Sequence, residues 1–340
     1  MSFPDPTSES APVPPLAARL DGLLFFPVTP YGPDGGVDEE VFRAHVRQGV
    51  EAGAGAVFAC CGTGEFHALS PGEFRRCVAA AVEEVAGRVP VVAGAGYGTA
   101  LAVEFARLAE EAGADGLLVL PPYLLTPSQE GLLAHYRALA AATDLDLVVY
   151  QRDNAVLTPE TVVELAAVPN VIGLKDGLGD LDLMQRIVSA VRTARPDDPF
   201  RYFNGLPTAE LTVPAYRGVG VRLYSSAAFC FAPEVALAFH RALDADGADG
   251  VVDAGGAGAA TVTRLLDGFF RPLVELRNKR PGYAVSLVKA GVRLRGLDVG
   301  GVRPPLTEPS AAHVAELAAL MEHGRGLVGA AEPTGGTGAA

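Results

Sequence analysis

Lys175 is the residue of this sequence whose setting points most directly to chemistry. It closes the apolar run Val171–Leu174 and precedes Asp176 and Gly177, a pattern typical of a buried strand that runs into a turn. Burial strips water from an ammonium group and lowers its pKa, so a lysine in such a place can act as a nucleophilic amine. A structural lysine whose tip reaches solvent or pairs with Asp176 would show the same pattern. The residues around Lys175 must decide between these two interpretations.

Two further predicted strands end in residues that could assist a nucleophilic lysine. The second is followed by residues 61–65 (Cys-Gly-Thr-Gly-Glu), whose glycines leave backbone N–H groups free to face an anion, and Thr63 adds a hydroxyl. The fifth ends at Tyr150, whose hydroxyl can relay protons. Arg152 follows and can hold a carboxylate or pair with Asp153. Each feature also has an ordinary interpretation, as a glycine-rich turn with a capping threonine or as a packed aromatic ring.

The last two predicted strands add small polar residues at their ends. The seventh ends at Asn204 and Gly205, and the eighth ends at Ser225 and Ser226. The serine hydroxyls could bind the hydroxyl groups of a polyol, or they could cap the helix that follows.

Eight apolar runs rich in β-branched residues alternate with eight stretches of helical composition. Continuous apolar runs predict parallel strands covered by helices. Eight such units predict an α/β fold of the (β/α)8 TIM barrel type rather than a doubly wound sheet, because residues 94–98 do not fit a G-x-G-x-x-G phosphate loop. The predicted strands are Leu23–Thr29, Ala56–Cys61, Val89–Ala95, Gly116–Leu120, Leu145–Gln151, Val171–Lys175, Arg201–Asn204 and Val221–Ser225. The predicted helices lie near 38–53, 71–87, 99–113, 128–143, 159–167, 180–194, 207–217 and 232–244.

The barrel is expected to carry a C-terminal extension made only of helices. Pro304-Pro305 should separate its last two helices. The aspartate-rich stretch 244–250 lacks the spacing and the closing glutamate of a calcium loop, so it is interpreted as a polar linker. The helices are predicted near 257–278, 282–295 and 310–323. The predicted segments are a disordered N-terminal segment (1–18), the barrel (19–245), the helical extension (246–328) and a disordered tail (329–340).

Composition narrows the class of partner. The chain has 340 residues and a formal net charge of −13, which argues against nucleic acid or an anionic membrane as a partner. The four cysteines show no ligand pair at zinc spacing, so we expect buried free thiols and no metal site. No basic-then-apolar leader is present, and no apolar run reaches the roughly 18–20 residues that span a bilayer. A cytoplasmic protein acting on a small molecule is therefore expected.

In a barrel of this type the functional site lies at the carboxyl ends of the strands. Thr63, Tyr150 and Lys175 follow or end the second, fifth and sixth predicted strands. Because Tyr150 and Lys175 end adjacent strands, their side chains can converge. This joint placement favours a catalytic lysine over a structural one.

These residues carry a resemblance to the dihydrodipicolinate synthase/N-acetylneuraminate lyase family over about residues 20–325. Its marks are residues 62–65 (Gly-Thr-Gly-Glu), Tyr150, residues 173–176 (Gly-Leu-Lys-Asp) and residues 128–132 (Ser-Gln-Glu-Gly-Leu). The resemblance implies a TIM barrel that works by class I Schiff-base chemistry without a metal or organic cofactor. It also implies a homo-oligomer, commonly a tetramer.

Within that family the chain is most similar to the branch that dehydrates and decarboxylates a keto-deoxy sugar acid. The pointers are 62–66 (Gly-Thr-Gly-Glu-Phe), 150–155 (Tyr-Gln-Arg-Asp-Asn-Ala), 224–227 (Tyr-Ser-Ser-Ala), 288–291 (Val-Lys-Ala-Gly) and 302–306 (Val-Arg-Pro-Pro-Leu). The chain departs from the synthase branch: Cys61-Gly62-Thr63 replaces the start of its Gly-Thr-Thr-Gly-Glu loop, and Leu124 stands where it has a second tyrosine. The synthase substrate set is therefore not expected.

The resemblance implies a role for each candidate residue. Lys175 would form the imine with the substrate ketone, and Tyr150, hydrogen-bonded near Thr63, would shuttle protons. The backbone of Gly62 and Thr63 would hold the carboxylate beside the ketone. The candidates for the hydroxyls or the distal carboxylate are Arg152, Gly205, Ser225 and Ser226. Two alternatives stay open, an aldolase that uses the same enamine and a non-catalytic sugar-acid sensor.

Overall fold

Eight short parallel strands close into a barrel in which each strand pairs with its neighbours in the chain and the last pairs with the first. This computed structural model describes residues 14–245 and 256–329. The closed parallel barrel confirms the predicted (β/α)8 fold class. The strands are β1 (Leu24–Phe25), β2 (Ala56–Ala59), β3 (Val91–Ala95), β4 (Gly116–Val119), β5 (Asp146–Gln151), β6 (Val171–Asp176), β7 (Arg201–Asn204) and β8 (Leu223–Ser226).

Local capping signals set where the barrel helices begin. Ser70 and Glu73 form a capping box ahead of Pro71, and Thr158 accepts a backbone N–H bond ahead of Pro159. These starts agree with the prediction from the sequence. A short helix α1 (Leu16–Arg19) precedes the barrel. The barrel helices are α2 (Glu39–Ala52), α3 (Pro71–Val85), α4 (Thr99–Glu111), α5 (Gln129–Ala140), α6 (Pro159–Ala166), α7 (Leu181–Ala194), α8 (Val213–Gly218) and α9 (Pro233–Asp244).

The helix predicted over 207–217 is divided in two. A 3-10 turn, Ala209–Leu211, is followed by the separate helix α8. Pro214 lies in the first turn of α8, where its missing N–H is tolerated, whereas it would break a helix that continued from residue 207. The loop between β7 and α8 is therefore free to line the end of the barrel.

The expectation of disorder over residues 1–18 is wrong for the part that the structure describes. α1 forms, and Leu16 and Leu20 are buried in the barrel interior together with Leu24 and Phe58. The guanidinium of Arg201, at the start of β7, donates to the carbonyl of Leu20. α1 therefore lies at the amino ends of the strands, opposite the end where a TIM-barrel site is found. Burial of two leucines supplies the free energy that orders this segment.

The C-terminal extension is helical, as predicted, but its elements differ in detail. The single helix predicted over 257–278 contains a π-helical turn, Leu266–Phe270, just before Pro272. The last helix runs to Gly329, one residue into the segment that was predicted to be disordered. Residues 330–340 and most of the predicted linker lie outside the described residues. The helices are α10 (Ala257–Leu265), α11 (Arg271–Arg277), α12 (Tyr283–Leu294) and α13 (Ala311–Gly329).

None of the helices within residues 14–245 and 256–329 combines the length and the apolar character needed to cross a bilayer.

Candidate active site

Lys175 lies near the carboxyl end of β6, with its side chain inside the barrel and 6% of the residue exposed. Its Nζ atom is 4.3 Å from the ring centre of Tyr150 and 4.4 Å from that of Phe26. Burial, with a smaller contribution from the positive charge of Arg152, lowers the pKa of the Lys175 ammonium to about 8. Roughly one tenth of the lysine is therefore the free amine at pH 7, the form that nucleophilic attack requires.

Asp176 does not neutralise Lys175. Its side chain points to the opposite side of β6, where it accepts hydrogen bonds from Gln151 Nε2 at 2.8 Å and from the Tyr216 hydroxyl. The backbone N–H groups of Leu178 and Gly179 also donate to it. The structural interpretation, in which Lys175 pairs with Asp176, is thus not the one that the structure shows.

Tyr150 and Lys175 are direct neighbours in the register of β5 and β6. The Tyr150 hydroxyl donates to the carbonyl of Gly205 at 3.0 Å rather than to Thr63, so the expected Tyr150–Thr63 pairing is wrong. A Cβ atom on Gly177 would lie 2.8 Å from the Tyr150 hydroxyl oxygen. Only glycine at this position lets the tyrosine take its place. Burial raises the pKa of Tyr150, which keeps its hydroxyl protonated as a donor.

Gly62 and Thr63 lie in the loop after β2, on the wall of the same cavity. The carbonyl of Gly64 accepts a hydrogen bond from the Thr29 hydroxyl at 2.7 Å. Glu65 is fully buried and takes a left-handed backbone conformation with φ of 55°. These contacts hold the loop on the side that faces away from the cavity, and residues 62 and 63 line the cavity.

One cation and one backbone N–H group of the C-terminal extension hold Glu65. Nζ of Lys289 lies 2.9 Å from one carboxylate oxygen, and the backbone N–H of Arg303 donates to the other at 3.0 Å. Both Lys289 and Glu65 are fully buried and have lost their contact with water. Each charge is therefore compensated by the other rather than by hydration. The roles of Lys289 and Arg303 did not follow from the sequence, although they lie in segments 288–291 and 302–306, which carried the resemblance.

A cavity of about 320 Å³ opens at the carboxyl ends of the strands. It brings together seven of the eight residues that the sequence singled out, and it adds seven from the C-terminal extension. The seven are Gly62, Thr63, Tyr150, Arg152, Lys175, Gly205 and Ser225. Among those added by the extension are Arg277, Tyr283, Leu287 and Val288.

Ser226 does not reach the cavity, so its proposed role in binding hydroxyl groups is wrong. It is fully buried, and its hydroxyl bonds to Oε1 of Glu210 and accepts from the N–H of Phe229 at 3.2 Å. Successive side chains of a strand point to opposite faces, and Ser225 takes the inward position of β8. Burial raises the pKa of the Glu210 carboxyl to about 7.

Arg152 lines the cavity but is partly engaged at the surface. Its Nε atom lies 3.2 Å from Asp153, in an exposed ion pair. Within residues 14–245 and 256–329, no group of three His, Cys, Asp or Glu side chains has an arrangement that could hold a metal ion. The four cysteines are buried free thiols, as predicted. The arrangement brings an amine, a phenol and the backbone of a glycine-rich loop together around one cavity.

Comparisons with known proteins agree with this geometry. The model of the "Dihydrodipicolinate synthetase family" matches residues 19–324. A protein of Streptomyces avermitilis, named "Probable 5-dehydro-4-deoxyglucarate dehydratase 1", is 70% identical over 92% of this chain and 97% of its own length. A protein of Bradyrhizobium diazoefficiens named "Probable 5-dehydro-4-deoxyglucarate dehydratase" is 46% identical over 88% of this chain and 91% of its own.

Solved structures show the same fold. The crystal structure of dihydrodipicolinate synthase from Bacillus clausii superposes with a TM-score of 0.79 and 28% sequence identity. The match covers 91% of this chain and 99% of the synthase chain.

Proposed function

We propose a function from one premise, that this chain belongs to the dihydrodipicolinate synthetase family. The chain is an enzyme that converts 5-dehydro-4-deoxyglucarate into 2,5-dioxopentanoate, water and CO₂ during the degradation of glucarate and galactarate. Relatives that share 70% of its residues over almost their whole length carry the name of this dehydratase. The observation that supports the chemistry is a buried lysine, without an ion-pair partner among the described residues, against a tyrosine in the cavity at the carboxyl ends of the strands.

The first step is attack of the Lys175 amine on the substrate ketone. The carbinolamine that forms must lose water, and its hydroxyl leaves only when a proton is supplied. The Tyr150 hydroxyl is the group beside the lysine that can give and take this proton, because its ring packs on Nζ and its hydroxyl is held by Gly205. The product is a protonated imine, which draws electrons from the carbon chain.

The imine then acidifies the neighbouring methylene, and loss of that proton gives an enamine. The enamine expels the next hydroxyl as water, which leaves a double bond conjugated with the imine. Cleavage of the bond to the far carboxylate releases CO₂, and its electron pair flows through the conjugated chain to the imine nitrogen. Protonation of the chain and hydrolysis of the imine free the amine of Lys175 and release 2,5-dioxopentanoate.

The substrate carries a carboxylate next to the ketone and a second one at the far end. The backbone of Gly62 and Thr63 holds the near carboxylate, since this loop is fixed against the extension through Glu65. Arg152 and Ser225 face the cavity and contact the hydroxyl groups. Gly205 contributes through its carbonyl, which positions Tyr150.

Product identification tests this function. Purified protein with 5-dehydro-4-deoxyglucarate should release CO₂ and 2,5-dioxopentanoate in equal amounts. Release of pyruvate would indicate an aldolase that uses the same enamine for retro-aldol cleavage. Tight binding without turnover would indicate a sugar-acid sensor. Either outcome would overturn the proposal.

We also propose that the enzyme works as a homotetramer in the cytoplasm. Three adjacent apolar residues after β4, Tyr123, Leu124 and Leu125, are 64% to 82% exposed, which suits burial against a second copy. Sedimentation of the wild type should give the mass of four chains, and Leu124→Asp should give smaller species. A wild-type monomer would contradict the proposed assembly.

A further inference from the structure

Arg277 is the second arginine that lines the catalytic cavity, and it comes from the C-terminal extension. It is the last residue of α11 and lines the same cavity as Lys175. Its Nη1 atom donates to the Thr208 hydroxyl at 2.7 Å, and its Nε donates to the Asn278 side-chain carbonyl at 3.3 Å. Both partners are neutral, so these bonds orient the guanidinium without compensating its charge.

The charge of Arg277 has no acidic partner in contact within the described parts of the chain. Arg152, the other arginine of the cavity, is paired with Asp153. Glu210 acts on Arg277 electrostatically but forms no ion pair with it, and its Oε1 atom accepts from Ser226. Burial lowers the pKa of the Arg277 guanidinium, and the carboxyl group of Glu210 offsets only part of this effect. An anionic group of a ligand would supply the missing compensation.

Arg277 also lies at a suitable place relative to the reactive amine. The loop from Gly205 to Thr208 lines the cavity throughout, and Gly205 packs against the Lys175 side chain. The three residue steps from Gly205 to Thr208 span at most about 11 Å, so the residue that anchors Arg277 lies within that distance of the glycine packed on Lys175. Thr208 itself has a φ of 53°, an uncommon conformation for a non-glycine residue. The bond from Arg277 helps to hold it there.

We propose that Arg277 binds the carboxylate at the far end of the substrate and thereby selects 2-keto diacids over 2-keto monoacids. This inference rests on the proposed function, because it assumes that a keto acid forms an imine with Lys175. A guanidinium presents parallel N–H donors that match the two oxygens of a carboxylate. In the proposed function the backbone of Gly62 and Thr63 binds the near carboxylate. The two ends of a six-carbon substrate are thus bound by different parts of the fold.

Borohydride trapping of the imine tests the proposal with two probes. Pyruvate carries only the near carboxylate, whereas 2-oxoadipate is a six-carbon 2-keto diacid. The concentration that gives half-maximal mass addition at Lys175 is measured for each probe. In Arg277→Gln this concentration should rise about 10- to 100-fold for 2-oxoadipate, the range for loss of a hydrogen-bonded charge, and stay unchanged for pyruvate. Arg277→Lys keeps the positive charge but loses the parallel N–H donors, so its half-maximal concentration for 2-oxoadipate should lie between those of the wild type and Arg277→Gln.

Arg271→Gln is the matched control, because Arg271 lies in the same helix with its charge in solvent-exposed ion pairs. It should leave both probes unchanged. If the half-maximal concentration in Arg277→Gln rose equally for pyruvate and 2-oxoadipate, the residue would be structural and the proposal overturned. An unchanged half-maximal concentration for 2-oxoadipate would also overturn it. Failure of the wild type to trap either probe would instead refute the proposed Schiff-base function, so the two failures are distinguishable.

Discussion

Gly205 and Lys175 are packed so closely that no side chain fits at position 205 beside the present lysine. A Cβ atom on Gly205 would lie 2.6 Å from Cε and 2.7 Å from Cγ of Lys175. It would also lie 2.9 Å from the backbone carbonyl oxygen of Asp176, which cannot move independently of β6. The carbonyl of the same glycine accepts the Tyr150 hydroxyl at 3.0 Å. One position in the β7–α8 loop therefore controls where both the amine and the phenol lie.

Replacing this glycine should disable the enzyme without unfolding it. In Gly205→Ala the added methyl group displaces the Lys175 side chain and the loop that binds Tyr150. We expect kcat/KM for 5-dehydro-4-deoxyglucarate to fall by about 100-fold or more, as for other displacements of reacting groups by roughly 1 Å. Steady-state kinetics measure the effect. Gly218→Ala is the matched control, because nothing lies within 4 Å of a Cβ at that position, and its kinetics should match the wild type.

The pH dependence of imine formation should report the pKa of Lys175. Only the neutral amine attacks the ketone, so protonation below a pKa of about 8 removes the nucleophile. The rate of borohydride trapping with pyruvate should rise about tenfold per pH unit below pH 8 and level off above it. A profile that kept rising to pH 10 would show that Lys175 has the pKa of a solvated lysine.

Removing the charge of Arg152 should shift that profile. Arg152 disfavours the ammonium form of Lys175, so the inflection in Arg152→Gln should move to higher pH. The trapping rate at pH 7 should fall as a result, and the rate should reach its plateau at a higher pH than in the wild type. Arg186→Gln removes an exposed charge on α7 that pairs with Asp182, and it should leave the inflection in place. Equal profiles for the two variants would contradict the electrostatic assignment.

The buried pair of Glu65 and Lys289 couples the extension to the loop after β2, which lines the cavity at Gly62 and Thr63. Lys289→Met leaves a fully buried carboxylate without its cation, and we expect a loss of about 3–5 kcal/mol in the free energy of unfolding. The double variant Glu65→Gln with Lys289→Met should recover much of that loss, because no buried charge remains. Chemical denaturation measures both, and a raised KM in Lys289→Met should accompany the loosened loop.

An exposed ion pair provides the control for this prediction. Lys279 and Glu316 lie 2.6 Å apart with 42% and 46% of their side chains exposed. Lys279→Met should change the free energy of unfolding by less than about 1 kcal/mol. Comparable effects of Lys279→Met and Lys289→Met would mean that burial of the Glu65 pair is not what stabilises it.

The barrel and the proximity of Lys175 to Tyr150 could be predicted because both depend on local patterns. Strands buried on both faces read as continuous apolar runs, and their carboxyl ends must meet at one edge. Lys175 and Tyr150 end consecutive runs, so their proximity followed from chain order alone. The same alternation of side chains along a strand separates Ser225 from Ser226, and it could have excluded Ser226 from the cavity.

Arg277 and Lys289 could not be placed in the same way. They belong to helices of the extension, and which face of such a helix meets the barrel depends on packing between segments far apart in the chain. Lys289 bonds to a residue 224 positions earlier, at a distance in sequence that no local pattern spans. Likewise, α1 is ordered because two leucines fill the barrel interior. The proline-rich composition around them predicts disorder instead.

Mass spectrometry after borohydride reduction tests the central claim most directly. The protein is mixed with 5-dehydro-4-deoxyglucarate, reduced and digested, and the modified peptide is sequenced. We predict a reduced adduct on Lys175, no adduct in Lys175→Ala, and no turnover by that variant. An adduct on another lysine, or turnover by Lys175→Ala at the wild-type rate, would contradict the assignment of Lys175 as the Schiff-base nucleophile.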